Sequence, residues 1–353
     1  MKSFLRIAVS LGLMSAFLYW AFSDIDAASL WSATADVAPV WLVATVAMIL
    51  VTAVLRGWRW AVLLRPVAPA VTVFDATLAT CIGYALNLVS PIPRAGEAAR
   101  ALSLKWTRGC SISAVAGTIV VERVIDMLVL IMFIATSAAL LPGQIEEAFP
   151  GVGTATTLAL VLSLAALVGM IVISAYQDRG VAIVERLLSR VSPRLGHTVG
   201  DLLARFIHGL AALRTPSAYL EILVSSCLLN LGYILITWFS FAAFGFHEAP
   251  WNLGGKAALV VMAISSIGIV IPVQGGIGTY HFFYGTCLHR LFAIPLASAM
   301  ACATLVHGIS SLTYFVIGAP ALLVQRRRHG QRASMKDEFE QASEDSDAKN
   351  PTS

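Results

Sequence analysis

A long hydrophobic segment of the chain is broken at Asn87-Leu-Val-Ser-Pro-Ile-Pro-Arg-Ala-Gly-Glu97, where prolines and a glycine oppose a continuous helix. A second hydrophobic segment is broken in the same way at Ile269-Val-Ile-Pro-Val-Gln-Gly-Gly-Ile-Gly278. One such break is typical of a kink in an ordinary membrane helix. Two breaks at corresponding positions of the two halves favour a transport site, because interrupted helices present dipoles and unpaired backbone groups to a polar ligand.

The composition is that of a multi-pass membrane protein. Apolar residues make up 58% of the 353 residues and charged residues 12%, whereas charged residues make up about 25% of a soluble domain. Since one span needs about 20 apolar residues, the length allows about six to eight crossings and no folded soluble domain. The net charge of +4 comes from arginines beside hydrophobic segments, so it indicates orientation in a membrane and not nucleic-acid binding.

Six segments are predicted to cross the membrane completely. Acidic residues dominate the loops after the first and third spans, whereas arginines follow the second and fourth spans. Because cytoplasmic loops are enriched in Lys and Arg, this charge pattern places both termini in the cytoplasm. The predicted spans are residues 5–22, 39–55, 112–141, 153–176, 219–246 and 295–324.

Each interrupted segment is predicted to enter the membrane and return to the same side. Residues 74–104 begin after a cytoplasmic arginine and end beside Arg108, so a hairpin satisfies the charge rule at both ends. Residues 257–292 would enter from the opposite face, although Lys256 and Arg290 at the base of this hairpin count against that orientation.

The predicted fold is therefore an all-α inverted repeat of six full spans and two re-entrant helical hairpins. The first repeat covers residues 1–141 and the second covers residues 142–324. Within the second repeat, residues 177–217 carry apolar residues at helical spacing, which predicts either two cytoplasmic amphipathic helices on the inner leaflet or a solvated helical linker. The polar and acidic residues 325–353 predict a disordered cytoplasmic tail.

Charged residues inside apolar segments are candidate functional residues, because each costs about 2.5–3.5 kcal/mol at the centre of a membrane helix. Arg94, Glu97 and Arg100 lie on the returning arm of the first hairpin, beside the turn at Gly96. A basic group next to free backbone N–H donors suits a phosphate or another anionic headgroup. The alternative is that the two arginines only extend to the membrane surface and pair with Glu97.

Glu122, Arg123 and Asp126 form a second charged group, inside the apolar run of residues 112–141. Glu122 and Asp126 are one helical turn apart and therefore lie on the same face. Two interpretations stay open for this group. It is either a structural cluster that ties this helix to the first hairpin, or it acts directly on a substrate or a proton.

The second hairpin carries glycines and polar side chains but almost no charge. Glycines let the backbone turn tightly and approach a ligand closely. Histidine titrates near neutral pH, so His281 would gate a proton-coupled step; the alternative is a buried histidine that is hydrogen-bonded to a neighbouring helix. The candidate residues here are Gln274, Gly275, Gly276, Gly278, Tyr280 and His281.

The two breaks and the charged group between them form three motifs along the chain. In their order and spacing these motifs resemble the flippase-like membrane family typified by the transmembrane region of lysylphosphatidylglycerol synthase. The resemblance extends to about Val324 and implies a polytopic inner-membrane protein that moves or handles aminoacylated phospholipids, hopanoid-related lipids or polyprenyl-linked glycolipids. Tyr280 and His281 stand where many relatives have a glutamate, and the aminoacyl-transferase domain of the bifunctional synthases is absent, so synthesis of lysyl-lipid is not expected. The motifs are Pro93-Arg-Ala-Gly-Glu-Ala-Ala-Arg100, Glu122-Arg-x-x-Asp126 and Pro272-x-x-Gly-Gly-x-Gly278.

Carried over to this chain, the resemblance implies a substrate site that includes both interrupted segments. The residues concerned are Arg94, Gly96, Glu97, Arg100, Glu122, Arg123, Asp126, Pro272, Gly275, Gly276 and Gly278.

The expected function is transport of an anionic or polyprenyl-linked lipid across the inner membrane, with membrane lipids as the binding partners. The chain contains no zinc-protease, serine-hydrolase or phosphate-loop motif, and no cofactor or metal is expected. One alternative is an accessory subunit of a lipid- or glycan-modifying enzyme, which would then be its protein partner. Another is a lipid-linked transferase that uses Glu97, Glu122 or Asp126 as catalytic carboxylates.

Overall fold

The computed structural model describes residues 2–92, 94–175 and 216–349, together with five single positions between residues 175 and 216. Within these residues the chain forms helices and turns and contains no strand, which confirms the predicted all-α class. Most of residues 177–217, for which amphipathic helices are predicted, lie outside the described residues.

The described helices are α1 (Lys2–Phe22), α2 (Ala27–Ser32), α3 (Pro39–Leu64), α4 (Val73–Val89), α5 (Ala95–Arg108), α6 (Ile112–Leu140), α7 (Gln144–Ala148), α8 (Val152–Ala175), α9 (Pro216–Ala243), α10 (Gly255–Val270), α11 (Thr279–Phe292) and α12 (Leu296–Lys349). Short connections join consecutive helices, except between α8 and α9, where most of residues 176–215 lie outside the described part of the chain.

Four of the described helices are long and apolar enough to cross a membrane. Three further apolar helical segments are shorter: Ile7–Phe22 within α1, Val73–Val89 (α4) and Gly255–Val270 (α10). Helix α6 has 29 residues, a length of about 43 Å, but charged side chains interrupt its apolar surface. The multi-pass membrane class is thus observed, whereas the total of six spans and the cytoplasmic termini stay predictions. The four segments are Pro39–Leu64, Val152–Gly169, Ala218–Ala243 and Leu296–Arg327.

Helix α3 extends beyond the predicted second span. The sequence predicts an end at Leu55 with Arg56 and Arg59 beyond it, but the helix continues to Leu64 and both arginines are buried. The prediction was wrong because it took charged residues as the end of the span. Carboxylates on α6 pair with these arginines, and this pairing allows the arginines to lie inside the bundle.

The first interrupted segment folds into two antiparallel helices, α4 and α5, joined by residues 90–94. At the open end of the pair, Arg108 forms a 2.7 Å ion pair with Asp75. Near the turn, the backbone N–H of Gly96 donates a 2.7 Å hydrogen bond to Oδ1 of Asn87, which satisfies one of the free donors at the start of α5. The segment is therefore a helical hairpin, and its return to the same membrane face stays a prediction.

The second interrupted segment forms a corresponding pair, α10 and α11, joined through a short 3₁₀ turn at Gln274–Gly276. At the start of α11, Oγ1 of Thr279 donates a 2.6 Å hydrogen bond to the carbonyl of Gly268 near the end of α10. The turn uses positive φ angles, which glycine adopts without a steric penalty. These angles are 59° at Gly275, 76° at Gly276 and 85° at Gly278.

Helix α12 packs against both hairpins, through α4 and α11. Further along α12, Oε1 of Gln325 accepts a 2.8 Å hydrogen bond from the buried hydroxyl of Ser103 on α5. The helix then continues to Lys349, whereas the composition predicts a disordered tail at residues 325–353. The many Ala, Glu, Gln, Lys and Arg residues there favour helix even without a buried face, which accounts for the difference.

Replacing Gly96 by alanine should separate the two arms of the first hairpin. A Cβ at this position would collide with the backbone carbonyl of Gly83 on α4, which cannot rotate away as a flexible side chain does. We expect a loss of about 1–3 kcal/mol of stability, measured as a lower midpoint of thermal unfolding in detergent. The matched control is Gly169→Ala on α8, where the space is open. Equal midpoints for the two variants would contradict the close contact of α4 and α5.

Candidate functional site

The first hairpin, α3 and α6 together bury a group of charged side chains. Its centre is Glu122 on α6, whose side chain is fully buried and accepts hydrogen bonds from four arginines. We use the name charge cluster for six residues: Arg56, Arg59, Arg100, Glu122, Arg123 and Asp126. The distances to the Glu122 carboxylate are 3.2 Å from Arg56, 3.4 Å from Arg59, 2.7 Å from Arg100 and 3.0 Å from Arg123.

Asp126 lies one turn further along α6 and shares three of these arginines. Its carboxylate is 2.5 Å from Arg59, 3.0 Å from Arg123 and 3.4 Å from Arg56. Since residues four apart lie on one helix face, both carboxylates of α6 point towards α3. Arg56 and Arg59 are three residues apart on α3 and present their guanidinium groups on the matching face.

Aromatic side chains hold two of the arginines in place. The guanidinium carbon of Arg100 lies 3.8 Å from the ring centre of Trp60, and the indole N–H of Trp60 donates a 3.1 Å hydrogen bond to Thr118. Arg56 donates two hydrogen bonds to the hydroxyl of Tyr233 on α9, at 2.7 and 3.1 Å. These contacts orient the guanidinium groups before any ligand binds.

The charge cluster is not electrically balanced. Within these six residues four guanidinium groups are paired with two carboxylates, which leaves a surplus of two positive charges in a largely buried position. The Nε–H groups of Arg59, Arg100 and Arg123 are also buried and have no hydrogen-bond partner among the described residues. A site with surplus positive charge and unused N–H donors is suited to an anion with several oxygen atoms.

Glu97 and Arg94 lie at the edge of this site. Glu97 is partly exposed, and its carboxylate is 4.0 Å from Arg123, so it belongs to the rim of the charge cluster. Arg94 is exposed and takes a left-handed conformation, with φ of 61°, at the start of α5. The structure therefore brings Arg100, Glu122, Arg123 and Asp126 together, whereas Arg94 stays at the turn.

Among the described residues, the second hairpin contains no charge cluster; its buried His281 faces His307 of α12. Nδ1 of His281 accepts a 3.3 Å hydrogen bond from the backbone N–H of Gly278, and the ring centre of His307 on α12 is 5.0 Å away. His307 in turn hydrogen-bonds the carbonyl of Gly275 at 3.0 Å through Nε2, and Tyr280 stacks on its ring. His281 is therefore buried and hydrogen-bonded, but to the backbone at the start of its own helix and not to a neighbouring helix, and proton gating stays a prediction.

The turns of the two hairpins contact each other. Nε2 of Gln274, in the second turn, donates a 2.8 Å hydrogen bond to the carbonyl of Leu88, in the last turn of α4. This carbonyl lies at a helix end, where no residue further along the same helix can satisfy it. Pro272, two residues before Gln274 in the same turn, is exposed. The two breaks that are far apart in the sequence are therefore neighbours in space.

The model of the family described as the lysylphosphatidylglycerol synthase TM region matches residues 3–318 of this chain. The chain belongs to that family. The match includes both hairpins and the whole charge cluster, and it confirms the resemblance seen in the three motifs. A lysylphosphatidylglycerol synthase transmembrane region is by description embedded in a membrane, in agreement with the long apolar helices observed here.

One curated relative, Glycosyltransferase AglD of Haloferax volcanii, is 26% identical to the chain over 344 residues. The alignment covers 90% of this chain and 54% of the relative, so the chain spans about half the length of the curated relative it matches. No solved structure matches the chain.

Three residues at the site of this member of the lysylphosphatidylglycerol synthase TM region family were not identified from the sequence. Arg56, Arg59 and Tyr233 were not among the candidates, because Arg56 and Arg59 follow an apolar run and resemble the end of a span. The spacing did contain a signal. Two arginines three residues apart on one helix match two carboxylates four residues apart on another, which is the pattern of an ion-pair network between helices.

Replacing Glu122 by glutamine should destabilise the fold strongly. The change keeps the shape of the side chain but removes the negative charge that four arginines share, and breaking a buried ion pair costs about 3–5 kcal/mol. We expect the midpoint of thermal unfolding in detergent to fall. Glu147→Gln in α7 is the matched control, because Glu147 is exposed. An unchanged midpoint for Glu122→Gln would show that the arginines do not depend on this carboxylate.

Proposed function

We propose that this chain is a lipid transporter of the flippase type that moves an anionic lipid or a polyprenyl-linked headgroup across the inner membrane. The observation that carries the proposal is the unbalanced positive charge of the charge cluster, buried in a protein whose family name refers to a phospholipid-modifying synthase. A buried surplus of charge is costly unless a ligand or a conformational change uses it. An anionic headgroup would supply the missing negative charge.

In this mechanism the headgroup leaves one membrane surface, crosses between the two hairpins and reaches the other surface, while the acyl chains stay in the bilayer. Arg100 and Arg123 would bind the phosphate, and Glu97 would compensate Arg123 when the site is empty. Arg94 would meet the headgroup at the turn. The second hairpin would act as the flexible wall, because its turn is built from glycines.

The contact between the two turns supports the inverted-repeat topology. Hairpins that enter from opposite faces must meet near the middle of the membrane, and Gln274 and Leu88 hydrogen-bond where the two turns meet. In this proposal the site between the two re-entrant hairpins opens alternately to the two sides of the membrane. The six spans, with both termini in the cytoplasm, form the frame around the hairpins. The hydrogen bond between Gln274 and Leu88 would have to break whenever the hairpins separate.

The open ends of the two hairpins should lie on opposite sides of the membrane. Lys105 on α5 and Lys256 on α10 are both exposed, so a cysteine at either position can react without disturbing an observed ion pair. In a chain whose five native cysteines are replaced, we expect a membrane-impermeant maleimide to label Lys105→Cys only from the cytoplasm and Lys256→Cys only from outside. Labelling of both positions from the same side would reject the inverted repeat.

The Arg100→Gln variant should transport lipid at least about tenfold more slowly than the parent chain, because a charge-assisted contact to phosphate is lost. The measurement is the translocation of headgroup-labelled phosphatidylglycerol in reconstituted vesicles. Arg290→Gln is the control, since Arg290 on α11 hydrogen-bonds the carbonyl of Ala148 and takes part in none of the observed contacts of the charge cluster. Because Arg94 is exposed, Arg94→Gln should leave the fold intact. Slower transport in this variant would therefore report lost contact with the headgroup and not lost folding. Normal rates in both Arg94→Gln and Arg100→Gln would reject the proposed roles.

A second candidate is an accessory subunit of a lipid- or glycan-modifying enzyme. It is favoured by the curated relative, which carries glycosyltransferase in its name and is almost twice as long as the matched region. The same vesicle assay distinguishes the two candidates, because a transporter moves lipid without a second protein. A lipid-linked transferase is less well supported, since Glu122 is fully buried and engaged by four arginines, which makes it a poor general base.

A further inference from the structure

The four arginines and two carboxylates of the charge cluster leave a surplus of two positive charges. Glu97 at the rim is 4.0 Å from Arg123 and offsets one of these charges while the site is empty, so a ligand that takes the place of Glu97 meets the full surplus. The helices that carry the cluster place no further carboxylate against it among the described residues, since Asp75 is paired with Arg108 at the other end of the hairpin. The cluster therefore needs about two negative charges to become neutral.

Hydrogen bonding indicates the same shortage of acceptors. The carboxylate of Glu122 already accepts hydrogen bonds from all four arginines of the cluster, and that of Asp126 accepts hydrogen bonds from Arg56 and Arg59. The hydroxyl of Tyr233 accepts twice from Arg56, so its own hydrogen is left to donate. With the three unpaired Nε–H groups, this hydroxyl makes the cluster rich in donors and poor in acceptors.

The cluster has one open side. The side chains of Arg123 and Asp126 are 34% and 26% exposed, whereas those of Arg59 and Glu122 are 1% and 0% exposed. Glu97, on the first hairpin, is exposed to a similar extent next to Arg123. A ligand would therefore approach at Arg123, beside the returning arm of the hairpin.

We propose that the charge cluster binds a dianionic phosphate group carried by a lipid, either a phosphomonoester or a diphosphate. This proposal rests on the proposed transport function and narrows its substrate. A phosphomonoester carries about −1.5 to −2 charges at pH 7, which matches the surplus, and its oxygens accept the unused N–H and O–H donors. A phosphodiester headgroup carries one negative charge, and an aminoacylated headgroup adds positive charge, so both match the cluster less well.

The test compares lipids that differ in headgroup charge. The full-length chain is placed in nanodiscs of neutral phosphatidylcholine with trace amounts of phosphatidic acid, phosphatidylglycerol or lysyl-phosphatidylglycerol, and bound lipid is counted by native mass spectrometry. At pH 8 we expect phosphatidic acid to bind at least about tenfold more tightly than phosphatidylglycerol, and lysyl-phosphatidylglycerol to bind least. Arg123→Gln should lose the preference for phosphatidic acid, and Arg290→Gln should keep it.

Lowering the pH tests the same proposal without any substitution. The second ionisation of a phosphomonoester has a pKa of about 6, so phosphatidic acid becomes a monoanion at pH 5 while phosphatidylglycerol keeps its single charge. The preference of the unmodified chain for phosphatidic acid should therefore shrink between pH 8 and pH 5. Binding of phosphatidylglycerol should stay nearly constant over this range. A preference that persists unchanged at pH 5 would overturn the role of the second charge.

The remaining outcomes separate this proposal from the transport function. Equal binding of phosphatidic acid and phosphatidylglycerol at pH 8 would overturn the dianionic substrate, while slow transport in Arg100→Gln would still support a flippase. Inorganic phosphate that competes as strongly as phosphatidic acid would assign the site to free phosphate and reject the lipid. If no lipid binds and no lipid moves in vesicles, both the substrate and the transport function are rejected.

Discussion

A single buried carboxylate, that of Glu122, organises the helix bundle of this protein. Arginines from α3, α5 and α6 converge on it. Three of them also pair with Asp126, whereas Arg100 has no other carboxylate partner among the described residues and would be an isolated buried charge without Glu122. Because Arg56 and Arg59 are neutralised from α6, helix α3 can continue to Leu64. Because Arg100 is neutralised as well, the returning arm of the first hairpin is held against the bundle.

The same interactions leave the site incomplete. The arginines outnumber the carboxylates of the charge cluster by two, and three of their Nε–H groups have no acceptor among the described residues. A network built only for stability would be expected to satisfy its own donors, since partly satisfied polar groups in an apolar environment are costly. The surplus is thus the part of the structure that is best explained by a ligand.

Much of the architecture could be predicted from local features. The prolines and glycines of both breaks mark the turns of helical pairs, and the glycines of the second turn have the positive φ angles that such a turn needs. The charged residues Glu122, Arg123 and Asp126 identified α6 as one of the helices that form the site. Arg56 and Arg59 could not be assigned in the same way, because their burial depends on partners 63 or more residues away in the sequence. Arg94 was a candidate for the same reason as Arg100, yet only Arg100 lies inside the bundle.

The sequence by itself determined that this is an all-α membrane protein with two interrupted segments, because composition, periodicity and helix-breaking residues act over a few turns of chain. Only the tertiary structure decided which charges share a site and that the two turns touch through Gln274 and Leu88. The reason is that an ion pair between helices depends on their relative rotation and depth. Packing of the whole bundle sets both quantities, and no single segment of sequence contains them.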